Sequence, residues 1–455
     1  MLDAAADRRL PPRVTPPDRI LGIWEAFRVA QRNILEFFPE AAYREPIVEG
    51  GRITGWKMVQ SPDWVEHVLK TRADIYPRSA VARRVLSPTS GDNLFIVEGR
   101  DWRWRRRAMS PSFAPRNLAG LAHVMTASAE STCRRLAAQD GAVVDMHDEM
   151  VTATFEVIRD ALLSGRETLD RREMGRAVER FIETAGRLSM LDIVNAPDWI
   201  PRPHRLWNGG ARAMDRAVET IIAERKRRGP CDPPDMLDLL MAASDPETGR
   251  GMSDTDVRND LIGFIVAGHE TTALALSWAV WLCAFDPEVQ ARARDEAQAA
   301  LGDRAATEAD LPRLGYVGQV LDEAMRLYPP GGMLARSPIE EDEIAGRAVK
   351  PGETVMIPVY CMHRHRDLWD DPDAFDPDRF APERAAGRHR FAFLPFGAGP
   401  RICIGASFAR MEAQIILATL LARFRFSVPK GPWPRPEMLI TLRPAGGARL
   451  RVHRL

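Results

Sequence analysis

Net charge is the first thing this sequence lacks: 63 Lys+Arg balance 63 Asp+Glu over 455 residues. A general polyanion binder needs an excess of positive charge, at least locally. Cysteine is sparse too. The five present (Cys133, Cys231, Cys283, Cys361 and Cys403) are widely spaced, form no C-x-x-C and are odd in number. That excludes a closed disulfide framework and points to a reduced, cytosolic protein. Internal repeats are missing, and 32 glycines with 35 prolines fall short of a collagen-like or disordered composition. The N-terminus, MLDAAADRRLPPRVTPPDR, has neither a signal-peptide apolar region nor a membrane anchor. A soluble, cytoplasmic protein is expected.

What is present is ordinary globular material, 45% hydrophobic and 28% charged. Length alone allows about three domains at ~150 residues each. The motifs override it: a Pro-rich segment over 1–19, then a single domain over 20–455. Helical periodicity runs over 20–38 and stops at Pro39; 52–60 alternate like a strand; Ser61-Pro62-Asp63 opens a helix over 64–70. From about 101 to 328 the pattern is mainly helical, with Pro-rich breaks at 196–203 and 230–234. A β-like block follows at 346–360, then the amphipathic helix ASFARMEAQIILATLLARF. The terminal segments MLITLRP and ARLRVHR, across Ala445-Gly446-Gly447, read as a hairpin. The fold class is mainly α, a large helical body with a smaller β-rich portion.

The run 261–285 is long enough to span a bilayer. Its centre holds His269, Glu270, Thr271 and Thr272, and a charge in lipid is costly. Ser253 can cap it and Pro287 closes it. The spacing predicts a helix buried through the middle of the protein, with a polar break.

Chemistry concentrates in Phe396-Gly397-Ala398-Gly399-Pro400-Arg401-Ile402-Cys403-Ile404-Gly405. One cysteine lies in a Gly-rich loop leading straight into an apolar helix. The glycines let backbone approach a bulky flat ligand, and the helix start favours thiolate over thiol. No ligand cluster for zinc is local. A plain buried cysteine would leave the glycines and Arg401 without a reason.

This loop resembles F-x-x-G-x-R-x-C-x-G, the haem-ligand signature of the cytochrome P-450 superfamily, with Phe396, Gly399, Arg401, Cys403 and Gly405 in the matching positions. The resemblance implies the cytochrome P-450 fold and haem b, with Cys403 as the metal's thiolate ligand. Ala267-Gly268-His269-Glu270-Thr271-Thr272 resembles the family's oxygen-activation motif. It implies room for O2 beside Ala267 and a proton relay through the catalytic residues Glu270 and Thr271. Glu323 and Arg326, on one helix face, resemble the E-x-x-R motif, whose structural network Arg379 would complete. Trp102 and Arg106 match W-x-x-x-R, and with Arg336 and Arg401 would contact the haem propionates. Trp104 and the other arginines nearby read as a solvated face.

The function so implied is a haem-thiolate monooxygenase that hydroxylates or epoxidises an apolar substrate of the fatty-acid, terpenoid or steroid class. Several stretches resemble bacterial relatives of fatty-acid hydroxylases. Too little chain follows Cys403 for a fused flavin reductase, so electrons are expected from NAD(P)H through a separate iron–sulfur ferredoxin and reductase. Arginines near 103–107 and 384–390 would dock that partner. Substrate choice is expected in 78–98, 181–209, 331–335 and 438–442, with Phe264 and Ala267; Arg52 is a candidate for a fatty-acid carboxylate. A peroxide-driven or isomerising enzyme of the same fold would be expected to lack Glu270-Thr271, and a non-catalytic scaffold has no use for Cys403 beside them. His363 and His365 lack a third metal ligand. The arginines of 100–107 come without a nucleic-acid motif.

Overall fold

The long apolar run is a buried helix in the computed structural model, which describes residues 10–51, 55–86, 91–164, 200 and 209–455. The longer helices are α1 (Ile23–Ala30), α2 (Gly99–Met109), α3 (Pro115–Ala137), α4 (Met146–Leu163), α5 (Gly209–Arg228), α6 (Asp254–Phe285), α7 (Pro287–Leu301), α8 (Gly315–Leu327) and α9 (Ala406–Arg423). At the start of α6 the Asp256 N–H donates to Ser253 Oγ (3.2 Å) and the Ser253 N–H donates to the Asp256 carboxylate (3.0 Å), a reciprocal cap. At its end Asp286 leaves helical geometry and caps α7, accepting from the N–H groups of Glu288 and Val289, with Pro287 in the first turn. Apolar residues are buried on every side of α6, as a helix wrapped by protein requires. Helices α4, α8 and α9 pack around it. Trp278 stacks on Tyr328 at 3.7 Å between ring centroids. Among the described residues α6 is the one helix long and apolar enough to cross a membrane, and most of it is buried inside the protein.

The strands are β1 (Ile47–Gly50), β2 (Trp56–Val59), β3 (Val143–Asp145), β4 (Leu334–Arg336), β5 (Asp342–Ile344), β6 (Arg347–Val349), β7 (Thr354–Ile357), β8 (Phe424–Ser427), β9 (Arg435–Met438), β10 (Leu442–Ala445) and β11 (Arg449–Arg454). They form a sheet ordered β1-β2-β7-β4, a second ordered β3-β11-β8, and the pairs β5-β6 and β9-β10. The expected terminal hairpin is corrected. β10 pairs back with β9, while β11 pairs with β3 and β8. Asp145 draws the chain away: its Oδ1 accepts the Ala448 N–H (3.0 Å), and the Met146 N–H donates to the Ala448 carbonyl (3.0 Å).

Two helical expectations are also corrected. The periodicity of 20–38 divides into α1 and a 3-10 turn over Ile34–Phe37. Asn33 separates them, because its Oδ1 accepts from the N–H groups of both Leu35 (3.2 Å) and Met438 (3.0 Å). The helix expected over 64–70 is an α-turn over Pro62–Glu66 that widens to π geometry over His67–Thr71.

Candidate active site

One face of α6 (Phe264, Ala267, Gly268, Thr271, Thr272 and Ala275) and the 394–405 loop line the same cavity, of about 350 Å³. Cys403 opens onto it. The loop is fixed from within: the Cys403 N–H donates to the Phe396 carbonyl (2.9 Å). Gly399 has φ +71°, and a Cβ there would lie 1.9 Å from the Leu69 carbonyl oxygen, so only glycine lets the loop rest against the π turn. Gly405, at the start of α9, also lines the cavity, and a Cβ on it would meet nothing within 4 Å. The expected bias toward thiolate is corrected in its balance. Burial pushes the Cys403 thiol up, and the Gly405 N–H and the Arg106 charge offset this only in part.

Around the same cavity stand Trp102, Arg106, Arg336 and Arg401, joined by Arg78, which the sequence did not single out. Arg78 forms an isolated β-bridge with Arg336. Its Nε is buried without a hydrogen-bond partner. Arg336 Nη1 donates to the neighbouring Ala335 carbonyl (3.0 Å), and burial, then Arg78 and Arg401, push its guanidinium down to about 9. Arg401 lies 4.4 Å over the Trp102 ring, pairs with Glu98 and donates to the Val97 carbonyl (3.2 Å). Burial pushes it down to about 10. Among the described residues Glu98 is the one carboxylate paired here, and such crowding of cations is costly without more negative charge.

On α6, Thr271 Oγ1 donates to the Ala267 carbonyl (2.7 Å) at the cavity wall. Glu270 is not on that wall. Its buried carboxylate pairs with Arg443 (2.6 Å) and accepts from Thr441 (3.1 Å). The structure therefore brings Thr271 to the Cys403 cavity and turns Glu270 toward the β9-β10 ribbon. A second carboxyl does reach the cavity: Glu412 of α9 is buried beside Thr272, and burial pushes it well above the ordinary carboxylate range. Its sequence signal was a lone acid inside an apolar helical run.

Glu323 and Arg326 are both fully buried and paired (2.6 Å), and Arg379 reaches the same carboxylate (3.3 Å). The solvated face read at 103–107 is corrected. Trp104 is buried with Arg250 4.0 Å over its ring. Arg105 pairs with Asp256 and Asp260 of α6 and is buried, while Arg107 pairs with Asp245 (2.7 Å). The second half of the proposed docking patch is also tied down, Arg384 by Asp376 and Arg390 by Glu66, with Arg388 over the rings of Trp369 and Phe380. His363 and His365 are buried and engaged with backbone groups.

Of the substrate positions, Arg78, Leu94, Phe95, Phe264, Ala267, Gly331 and Leu334 line the cavity. In 438–442, Met438 and Leu442 belong to the core and Thr441 is turned to Glu270. Arg52 and nearly all of 181–209 lie outside the described residues.

A family model described as cytochrome P450 matches residues 22–451. The chain is 33% identical over 387 residues to cyclooctatin synthase of Streptomyces melanosporofaciens, covering 84% of this chain and 83% of that protein. It is 34% identical over 340 residues to cyclooctat-9-en-7-ol 5-monooxygenase of the same organism, covering 74% and 72%. The crystal structure of cytochrome P450DA heme domain superposes with a TM-score of 0.80 at 25% identity, over 98% of each chain. The chain belongs to the cytochrome P450 family. It is an oxidoreductase of the P450 monooxygenase class, whose cofactor is haem. The residues present fit that group: a thiol, a glycine whose missing Cβ leaves the cavity open, and a buried arginine Nε with no partner suit a flat, dianionic metal macrocycle.

Proposed function

We propose that this chain is a haem-thiolate monooxygenase of hydrocarbon-rich substrates, built as a single domain over residues 20–455. In it Cys403 ligates the metal, and Arg78, Arg106, Arg336 and Arg401 with Trp102 hold the haem carboxylates. The observation that carries this reading is one cavity shared by the Cys403 thiol and a cluster of arginines short of carboxylates. When bound, the haem supplies the reductive activation of O2 and the transfer of one oxygen atom to substrate.

The chain's own residues do the rest. The Gly405 N–H and Arg106 temper negative charge on the Cys403 sulfur. Phe95, Phe113, Phe264 and Leu334 exclude water and favour an apolar substrate of the fatty-acid, terpenoid or steroid class. Thr271 Oγ1, parked on the Ala267 carbonyl, hands a proton into the cavity, and Glu270 replenishes it from outside. The cyclic alcohol in the name of the Streptomyces cyclooctat-9-en-7-ol 5-monooxygenase supports an alicyclic, hydrocarbon-rich substrate.

Electrons come from NAD(P)H through a separate ferredoxin and reductase. The arginines tied into ion pairs leave Arg103, exposed on α2, as the clearest charge for that encounter. The buried course of α6 supports a soluble, cytoplasmic protein. The acid–alcohol pair favours O2 over the peroxide-driven or isomerising alternative of the same fold.

The test is a ferrous–CO difference spectrum of the wild type and of Cys403→Ser. The wild type is expected to give the red-shifted thiolate band, and the variant to lose it together with NAD(P)H-dependent oxygenation. A red-shifted band that survives in Cys403→Ser overturns the ligand assignment.

A further inference from the structure

Glu270 precedes Thr271 by one position, so its side chain leaves α6 about 100° away from that of Thr271. It meets β10. Glu270 Oε1 accepts from Arg443 Nε (2.8 Å) and Nη2 (2.6 Å) and from Thr441 Oγ1 (3.1 Å). The Glu270 side chain is 7% exposed and that of Arg443 31%, so the guanidinium reaches from solvent to the buried acid. The ribbon carrying it is fastened on both strands at its turn end: the Met438 N–H donates to Asn33 (3.0 Å), and the Leu442 N–H donates to the Pro330 carbonyl (3.0 Å).

Other titratable groups face this pair. His147 and His269 are both pushed down to about 4 by burial, and Arg443 adds to the effect at His147. Both are therefore neutral at pH 7. Asp145 is occupied by the N–H groups of His147 and Ala448 (3.0 Å each). Glu412 lies by Thr272, beside the cavity. Arg443 is a cation in direct contact with Glu270.

We propose that Arg443 is a positioning residue for proton delivery. It keeps Glu270 ionised and turned toward the β9-β10 ribbon, so that protons enter α6 from the ribbon's solvent side. A buried carboxylate that loses a contacting cation holds its proton more tightly. With Arg443 in contact it stays able to accept one from water at the guanidinium and to release it to water on the way to Thr271 Oγ1. This rests on the relay role given to Glu270 and Thr271 above.

The test compares Arg443→Gln, Arg443→Lys and Thr441→Val in the holoenzyme. In Arg443→Gln an additional protonated-carboxyl stretch is expected in the infrared spectrum at pH 7, beyond the Glu412 signal that all variants share and absent from the wild type and from the Glu270→Gln/Arg443→Gln double variant. The acid limb of product formed per NAD(P)H should move up by about one pH unit or more, with a solvent isotope effect altered about two-fold. Arg443→Lys should restore most of both. Unchanged titration, coupling and isotope effect in Arg443→Gln overturn the proposal. So does a loss of coupling that Arg443→Lys fails to rescue, since that marks a merely structural contact. If Arg443→Gln does not fold, Thr441→Val, which removes one hydrogen bond to Glu270, should shift the same carboxyl titration upward by a smaller amount, and no shift refutes the idea. The infrared titration reads the pair directly, so a failed ferrous–CO test and a failed Arg443 test remain distinguishable.

Discussion

Two clusters of arginine in this protein, one at Glu323 and one at Cys403, are built to opposite ends. Around Glu323 the accounting closes. Arg326 gives Nε and Nη2 to the carboxylate, Nη1 to the carbonyls of His363 and Pro372 (2.7 Å each), and Nη2 again to that of Ala374 (2.9 Å). Arg379 adds Nε to Glu323 and its terminal nitrogens to the carbonyls of Asp370 and Asp371. Around Cys403 the accounting stays open. Arg78 Nε has no partner, and burial among other cations pushes Arg336 down. Buried charge persists only when it is paired, so the closed cluster holds the fold and the open one awaits an anionic ligand. Both contain a buried arginine, Arg326 in one and Arg336 in the other; their donors and partners separate them.

The largest expected effect breaks the closed cluster. Arg326→Met leaves Glu323 buried with only Arg379 and the Asp376 N–H among the partners described and takes a donor from three backbone carbonyls, at a cost of about 3–5 kcal/mol. Urea unfolding of the haem-loaded protein should show it, and a loss below about 1 kcal/mol would refute the structural role. The same substitution in the open cluster should behave differently. Arg336→Met removes a cation that burial already disfavours, so the haem-free protein should change by less than about 1 kcal/mol. Haem release to a scavenger globin should instead accelerate roughly ten-fold, equivalent to about 1.4 kcal/mol of lost contact. Equal destabilisation in both variants, with haem release unchanged, would erase the distinction.

How much of this could be read beforehand depends on the range of each interaction. The Ser253 cap, the Pro287 stop, the i, i+3 spacing of Glu323 and Arg326 and the Cys403 loop are all local, and each was legible. Arg78 was not, because its meaning comes from a bridge to Arg336 across more than half the chain. Arg105 likewise reads as one charge in a basic run until α6 brings Asp256 and Asp260 to it. The terminal strands show the same limit. Their periodicity is correct, but the partner is chosen by Asp145, some three hundred residues earlier. Glu270 was found by its motif, and its direction was set by a ribbon that the sequence paired wrongly.

The comparison is sharpened by titrating the closed cluster itself. His363 lies under Arg326: its Nδ1 faces the Arg326 carbonyl (3.2 Å) and its Nε2 accepts the Leu394 N–H (2.8 Å). That fixes a neutral imidazole with Nδ1 as donor. Burial, then the Arg326 charge, push it down to about 3. The folded-state value is below the unfolded one of about 6.5, so the unfolded chain binds the extra proton. This contribution to stability is therefore complete above about pH 6.5 and is lost progressively as pH falls toward 3, by up to about 1.4 kcal/mol per pH unit. Asp260 acts in the opposite sense. Burial raises it to about 6, so its ionisation lowers stability as pH rises from about 3.8 to 6 and masks part of the histidine slope. Replacing one histidine isolates the effect. His363→Asn keeps a donor and an acceptor but cannot titrate, so its unfolding free energy should fall less steeply than the wild type's between pH 6.5 and 5, by about one proton's worth. Urea titrations at several pH values measure both slopes. Parallel slopes would mean that His363 is protonated in the folded protein, and that the cluster around Glu323 is less tightly closed than its hydrogen bonds indicate.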